Sequence, residues 1–115
     1  MKLPYIEVEN QDDGQLIYNV TTKVDHSIAR QWLAWMKEEH IPDILATGCF
    51  TDAQVLQLTE VDESDGPTYA VQYSSPGRDR YNEYITGYAE QMRKKAADRW
   101  GALIISFRSV LRVVN

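Results

Sequence analysis

Between Leu16 and Met36 the apolar pattern changes period once, and that switch constrains the fold more than any other feature. "LIYNVTTKV" (16–24) alternates with period two: Leu16, Tyr18, Val20, Thr22 and Val24 on one side, Ile17, Asn19, Thr21 and Lys23 on the other. Such a β-branched, aromatic run is a half-buried strand. Asp25 follows in N-cap position, and "HSIARQWLAWMKEEH" then sets Ile28, Trp32, Trp35 and Met36 on one helical stripe. A strand that feeds a helix through so short a link must lay that helix back against its own sheet.

The same grammar repeats downstream. Pro42 is read as ending the first helix, because the residue before a proline avoids the helical region. "PDILATG" is read as one further short turn closed by Gly48. "CFTDAQVLQLTEV" (49–61) is the second predicted strand, "DESDGP" a turn, and "TYAVQYSS" the third strand, with Tyr69, Val71 and Tyr73 opposite Thr68, Ala70 and Gln72. A second helix is predicted from Arg78 to about Arg99 on Tyr81, Tyr84, Ile85, Tyr88 and Met92, ended by Gly101. "LIISFRSVLRVV" is the fourth strand. Its large apolar residues assign Ile105, Phe107, Leu111 and Val113 to one side and Ser106, Arg108, Val110 and Arg112 to the other.

The order β-α-β-β-α-β predicts an α+β, ferredoxin-like domain: a four-stranded antiparallel sheet in the order 4-1-3-2 with two helices on one face. The predicted core gathers Tyr18, Val20, Val71, Tyr73, Phe107 and Leu111 against the Trp32/Trp35 and Tyr81/Tyr88 stripes. The other sheet face is left without helices and is expected to show Ile17, Asn19, Thr21, Ala70, Gln72, Ser106 and Arg108. Either it is solvated or it packs on a second copy of the chain; a homodimer through this face is the preferred reading. Residues 15–115 are read as the single domain, and residues 1–14 as an N-terminal extension, an extra strand on Leu3, Tyr5, Ile6 and Val8 or a tail.

Charge and composition narrow the function. The 115 residues carry 17 acids against 12 bases, a net charge of −5. That is the wrong sign for neutralising phosphates or docking on an anionic membrane, so neither a nucleic acid nor a membrane partner is expected. One cysteine forms no internal disulfide, no apolar run spans a bilayer, and the N-terminus lacks the apolar stretch of a signal peptide. The expected location is cytoplasmic.

Four stretches, "IYNVTTKVD", "QWLAWMKEEHIPDILATGCF", "TYAVQYSS" and "FRSVLRVV", in this order and spacing, resemble a family of small bacterial proteins, domain of unknown function 4286. The combination of W-x-x-W-M, H-I-P and A-T-G-x-F carries the resemblance, which runs from about Leu16 to Val114. It implies a ferredoxin-like, dimeric α/β-barrel type of domain and no assigned activity. More distantly, the helix, H-x-P and glycine are similar to the dimeric α/β-barrel proteins, among them small cofactor-free monooxygenases and stress-responsive barrel proteins.

The reactive side chains form no catalytic constellation. His40 needs only a carbonyl or carboxylate partner, and a place near a helix C-terminus would favour its cation. Cys49 sits between Gly48 and Phe50 at a strand entry, where a lone cysteine acts as a small core residue. His26, His40 and Cys49 have no metal-ligand spacing, "DESD" (62–65) is too short for a calcium loop, and "GRDR" (77–80) lacks a phosphate-loop context. No metal or cofactor is expected. A ligand site, if one exists, is expected on the uncovered face and its rim: Asn19, Thr21, Gln72 and Arg108, with His40 beside them. The leading reading is therefore a dimeric interaction or regulatory module without catalysis; the alternative is a small-molecule binder or cofactor-free enzyme of the dimeric barrel type.

Overall fold

The computed structural model describes residues 14–115; the expectation for residues 1–13 lies outside them. Strand β1 (Leu16–Val24) runs into a single tight turn (His26–Ile28), where the Asp25 carboxylate accepts the Ser27 N–H at 3.0 Å. That cap is the one expected from sequence, and its hydrogen bonds from Ser27 hold the Asp25 carboxyl below its ordinary range. Helix α1 (Ala29–Trp35) follows, then a widened π-turn (Met36–His40), then α2 (Ile41–Leu45). Next come β2 (Asp52–Gln57), β3 (Thr68–Ser75), α3 (Arg78–Gly87), α4 (Ala89–Trp100) and β4 (Ile104–Arg112). The four strands form one antiparallel sheet in the order β2-β3-β1-β4, the predicted order read from the other edge.

Three local expectations are corrected. Pro42 does not end the first helix. The Ile41 N–H reaches back five residues to the Met36 carbonyl, and Ile41 keeps helical angles (φ −62°, ψ −47°) although it precedes the proline. A turn wider by one residue gives the pyrrolidine ring room that a regular turn denies it. The second strand is shorter than 49–61: Cys49 and Phe50 lie before it as buried core residues, though Thr51 and Leu58 still donate to the Ser74 and Thr68 carbonyls. The second helix breaks at Tyr88 (φ −134°, ψ −27°) into α3 and α4.

The core lies where β1 and β3 meet the helices. Tyr18, Val71 and Tyr73 are buried against Trp32, Trp35, Phe50, Tyr84 and Met92, with Cys49 fully enclosed. Phe50 stacks on Tyr18 at 5.8 Å and meets Tyr84 edge-on at 4.9 Å, the offset geometries that aromatic quadrupoles favour. The loop before β3 is tied down at Gly66 (φ +146°). An added Cβ there would lie 2.0 Å from the Val24 carbonyl oxygen, so only glycine fits.

The fourth strand has the opposite phase to the one expected. Its register sets Thr22 opposite Ser106 and Val20 opposite Arg108, which turns the even-numbered residues towards the helices. Ile104, partly buried against the core, leads that set. Phe107 (63% exposed), Ile105 and Leu111 therefore stand on the uncovered face and not in the core. Ser106 and Arg108 are on the helix side. The larger apolar residues of edge strand β4 alternate with Ser106, Arg108 and Arg112, so residue size turns the wrong set inward, and pairing with β1 decides.

Candidate functional site

The five candidate residues fall into two groups on opposite faces. Asn19, Thr21 and Gln72 are on the open face. The strand register aligns Gln54, Gln72, Asn19 and Ser109 in one row across all four strands. The Gln72 amide donates to Asn19 Oδ1 at 3.2 Å, and Asn19 Nδ2 donates to Thr21 Oγ1 at 2.9 Å and to Ser109 Oγ at 3.3 Å. Asn19 thus spends both amide hydrogens and its carbonyl inside the sheet. Asn19 and Thr21 are each buried to 7% exposure, which requires such partners. Exposed Phe107, Ile105, Leu111 and Leu56 flank this ladder.

His40 and Arg108 meet on the helix side, at a cleft between α1, the π-turn, α4 and the sheet. It has a volume of about 50 Å³. Trp32, Trp35, Tyr18, Tyr73 and Tyr84 supply its aromatic walls; Thr22, Ser106, Arg93 and Arg108 supply its polar groups. They come from three strands and three helices spread along the chain. Period two on β1 aims Tyr18 and Thr22 inward, where Thr22 Oγ1 and Ser106 Oγ share a hydrogen bond of 2.8 Å. Arg93, on α4, donates to the Tyr18 hydroxyl at 3.4 Å.

His40 owes its place to the π-turn. The ring stacks on Trp35 with centroids 4.3 Å apart and planes 18° from parallel. It is 8% exposed, and its buried Nδ1 has no hydrogen-bond partner among the described residues. Burial pushes its pKa down to about 4; Asp43 opposes the shift, while Lys95 and Arg108 add to it. At neutral pH the ring is therefore an uncharged imidazole, contrary to the helix-end cation expected from sequence. Burial, with neighbouring tyrosines adding to it, holds the Tyr73 and Tyr84 hydroxyls far above their ordinary range, so both remain protonated.

The cleft offers aromatic surface and two guanidinium groups, with an imidazole in its wall whose Nδ1 is buried without a partner among the described residues. From sequence, Arg108 and His40 were both expected at the uncovered face and its rim; Ser106 was expected on that face too, and Arg93 and Thr22 were not expected at a site. The one signal that pointed inward was Ile104: counted as the first inward residue of β4, it makes Ser106 and Arg108 inward too. Among the described residues no group of three or more His, Cys, Asp or Glu side chains could hold a metal ion, and no helix is long and apolar enough to cross a membrane.

The comparisons with known proteins agree with this architecture. The model of the family described as a domain of unknown function (DUF4286) matches residues 15–114. No curated protein matches the chain. Among solved structures, a dimeric ferredoxin-like protein from an uncultured marine organism superposes with a TM-score of 0.67 at 9% identity, covering 89% of this chain and 97% of that one. An EthD-like protein from Ralstonia eutropha gives 0.66 at 12% identity over 90% and 95% of the two chains. SnoaB, a cofactor-independent oxygenase from Streptomyces nogalater, gives 0.60 at 13% identity over 89% and 95%. At these identities the likeness is one of fold: the domain is ferredoxin-like.

Proposed function

We propose that this chain, which belongs to the DUF4286 family, is a homodimeric domain that binds a small molecule in the cleft between its helices and its sheet. One observation carries the reading. A buried, uncharged His40, whose Nδ1 has no partner among the described residues, lines an aromatic cleft that also holds Arg108. A buried polar atom without a partner costs free energy, and a ligand that supplies the partner recovers it. The dimer rests on the exposed Ile105, Phe107 and Leu111 beside a self-satisfied amide ladder, a surface suited to a second sheet. The solved relative titled as dimeric shares the fold.

A thermal-shift screen against metabolites tests the binding reading, because a ligand bound only to the native state raises stability. The expected result is a hit whose shift disappears in His40→Gln. A screen without hits leaves the second reading, a dimeric interaction or regulatory module without catalysis, which the small volume of the cleft favours. Light scattering tests the dimer separately: Phe107→Asp is expected to give a monomer, and a wild-type monomer at micromolar concentration defeats the claim. The EthD-like and oxygenase relatives make cofactor-free oxygenation the chemistry to assay once a ligand is known.

A further inference from the structure

Charge is distributed against the trend of the chain at this cleft. The protein carries −5 overall, yet among the described residues the cleft lining includes Arg93 and Arg108 and not one aspartate or glutamate. The two arginines come from opposite walls, α4 and β4, and both are exposed at the rim. Among the described residues neither forms an ion pair with a carboxylate: Arg93 donates to the Tyr18 hydroxyl, and Arg108 lines the cleft with His40 and Tyr84. The lining is rich in rings, Tyr18, Trp32, Trp35, Tyr73 and Tyr84, and Trp35 is held by its stack on His40. The volume, about 50 Å³, is room for roughly three to five waters. A slot of that size, open at its rim, admits one ring and not a fused set.

We propose that the cleft is selective for a planar, single-ring monoanion, a carboxylate or phenolate whose charge sits between Arg93 and Arg108 and whose adjacent hydroxyl meets His40 Nδ1. The inference deepens the binding reading above and rests on it. Guanidinium groups suit planar oxyanions because their forked donors match two oxygens at once. Aromatic walls select planarity. An uncharged imidazole accepts a hydrogen bond from the hydroxyl without placing a third cation beside the arginines.

Isothermal titration of the full chain with four probes tests it: salicylate, benzoate, benzamide and benzylammonium. The expected order is salicylate, then benzoate, with benzamide weaker by about tenfold and benzylammonium not bound. Arg108→Gln, an exposed position whose melting point is checked first, is expected to weaken benzoate by about tenfold and leave benzamide unchanged. His40→Gln is expected to erase the advantage of salicylate over benzoate. Equal affinity for benzoate and benzamide, or preference for benzylammonium, overturns the charge assignment while leaving a small-molecule cleft in place. Tighter binding of anthracene-9-carboxylate than of benzoate overturns the size limit. Failure of every probe, charged or neutral, counts against the cleft reading itself and removes this inference with it.

Discussion

The two faces of this sheet use the same strands in opposite ways. On the helix side, Tyr18, Val20 and Thr22 of β1 look into aromatic rings, and the polar groups there are left with spare bonding capacity: His40 Nδ1 is the clearest case. On the open side, Asn19 and Thr21 are almost as buried, but their polar atoms are consumed by Gln72 and Ser109 within the sheet. The difference separates two kinds of surface. A face that satisfies itself is ready to be covered by apolar contacts from a partner. A face that keeps unsatisfied atoms beside cations is ready for a ligand. Burial alone would rank the two alike; hydrogen-bond accounting tells them apart.

Substitutions on each face should break this comparison in order. The largest effect is expected on the covered side: Tyr73→Ala removes a fully enclosed ring and should cost about 3–5 kcal/mol in urea denaturation. A loss below about 1 kcal/mol would mean that the helix layer is not the core.

Next comes the pH dependence of His40. Its folded pKa, about 4, lies below the ordinary 6.5, so the group is depressed by burial. Above pH 6.5 both folded and unfolded chains hold a neutral ring. As the pH falls from 6.5 towards 4, the unfolded chain takes a proton that the folded chain refuses. Stability is thus fully present above 6.5 and falls across this window, by up to about 3 kcal/mol. Asp25 and Asp62, whose carboxyls are held low by Ser27 and Ser64, slope in the same direction. The test is therefore the difference between wild type and His40→Gln, and a difference that does not vary with pH would place His40 in solvent.

A smaller effect is expected on the open face. Asn19→Ala strands the Gln72 amide and the Thr21 and Ser109 hydroxyls, and should cost about 1–2 kcal/mol. The smallest is Phe107→Ser, at a ring 63% exposed in the monomer. Measured in dilute, monomeric protein it should change stability by less than about 0.5 kcal/mol, while lowering the dimer fraction at higher concentration. A large monomer loss would show that Phe107 packs within its own chain.

Much of the fold was legible because β1 and β3 alternate cleanly. Tyr18, Tyr73 and Val71 had to face one way and Asn19, Thr21 and Gln72 the other, and the helical stripes of Trp32/Trp35 and Tyr81/Tyr88 were expected to cover the first set; from the same helical run it is Tyr84 and Met92 that are buried there, with Tyr81 and Tyr88 half-buried. The strand order followed from the sequence of elements. The site was less legible. His40 and Arg108 were singled out by residue type, but Arg108 was put on the wrong face, and Arg93 has nothing in its neighbourhood "MRKKAADR" to mark it as different from the other cations of a helix end.

Local pattern by itself determined the element order, the inward sets of β1 and β3, the Asp25 cap and the left-handed turns at Gly48 and Gly101, because each depends on neighbours within a few residues. Tertiary structure alone decided three things. The phase of β4 came from its register with β1, since its larger apolar residues stand on the outward side and mislead a reading by residue size. Continuation of the first helix through Pro42 came from a π-turn, whose extra residue absorbs a ring that propensity alone excludes. The meeting of His40, Arg93 and Arg108 came from packing a turn, a helix and a strand far apart in the chain around one cleft.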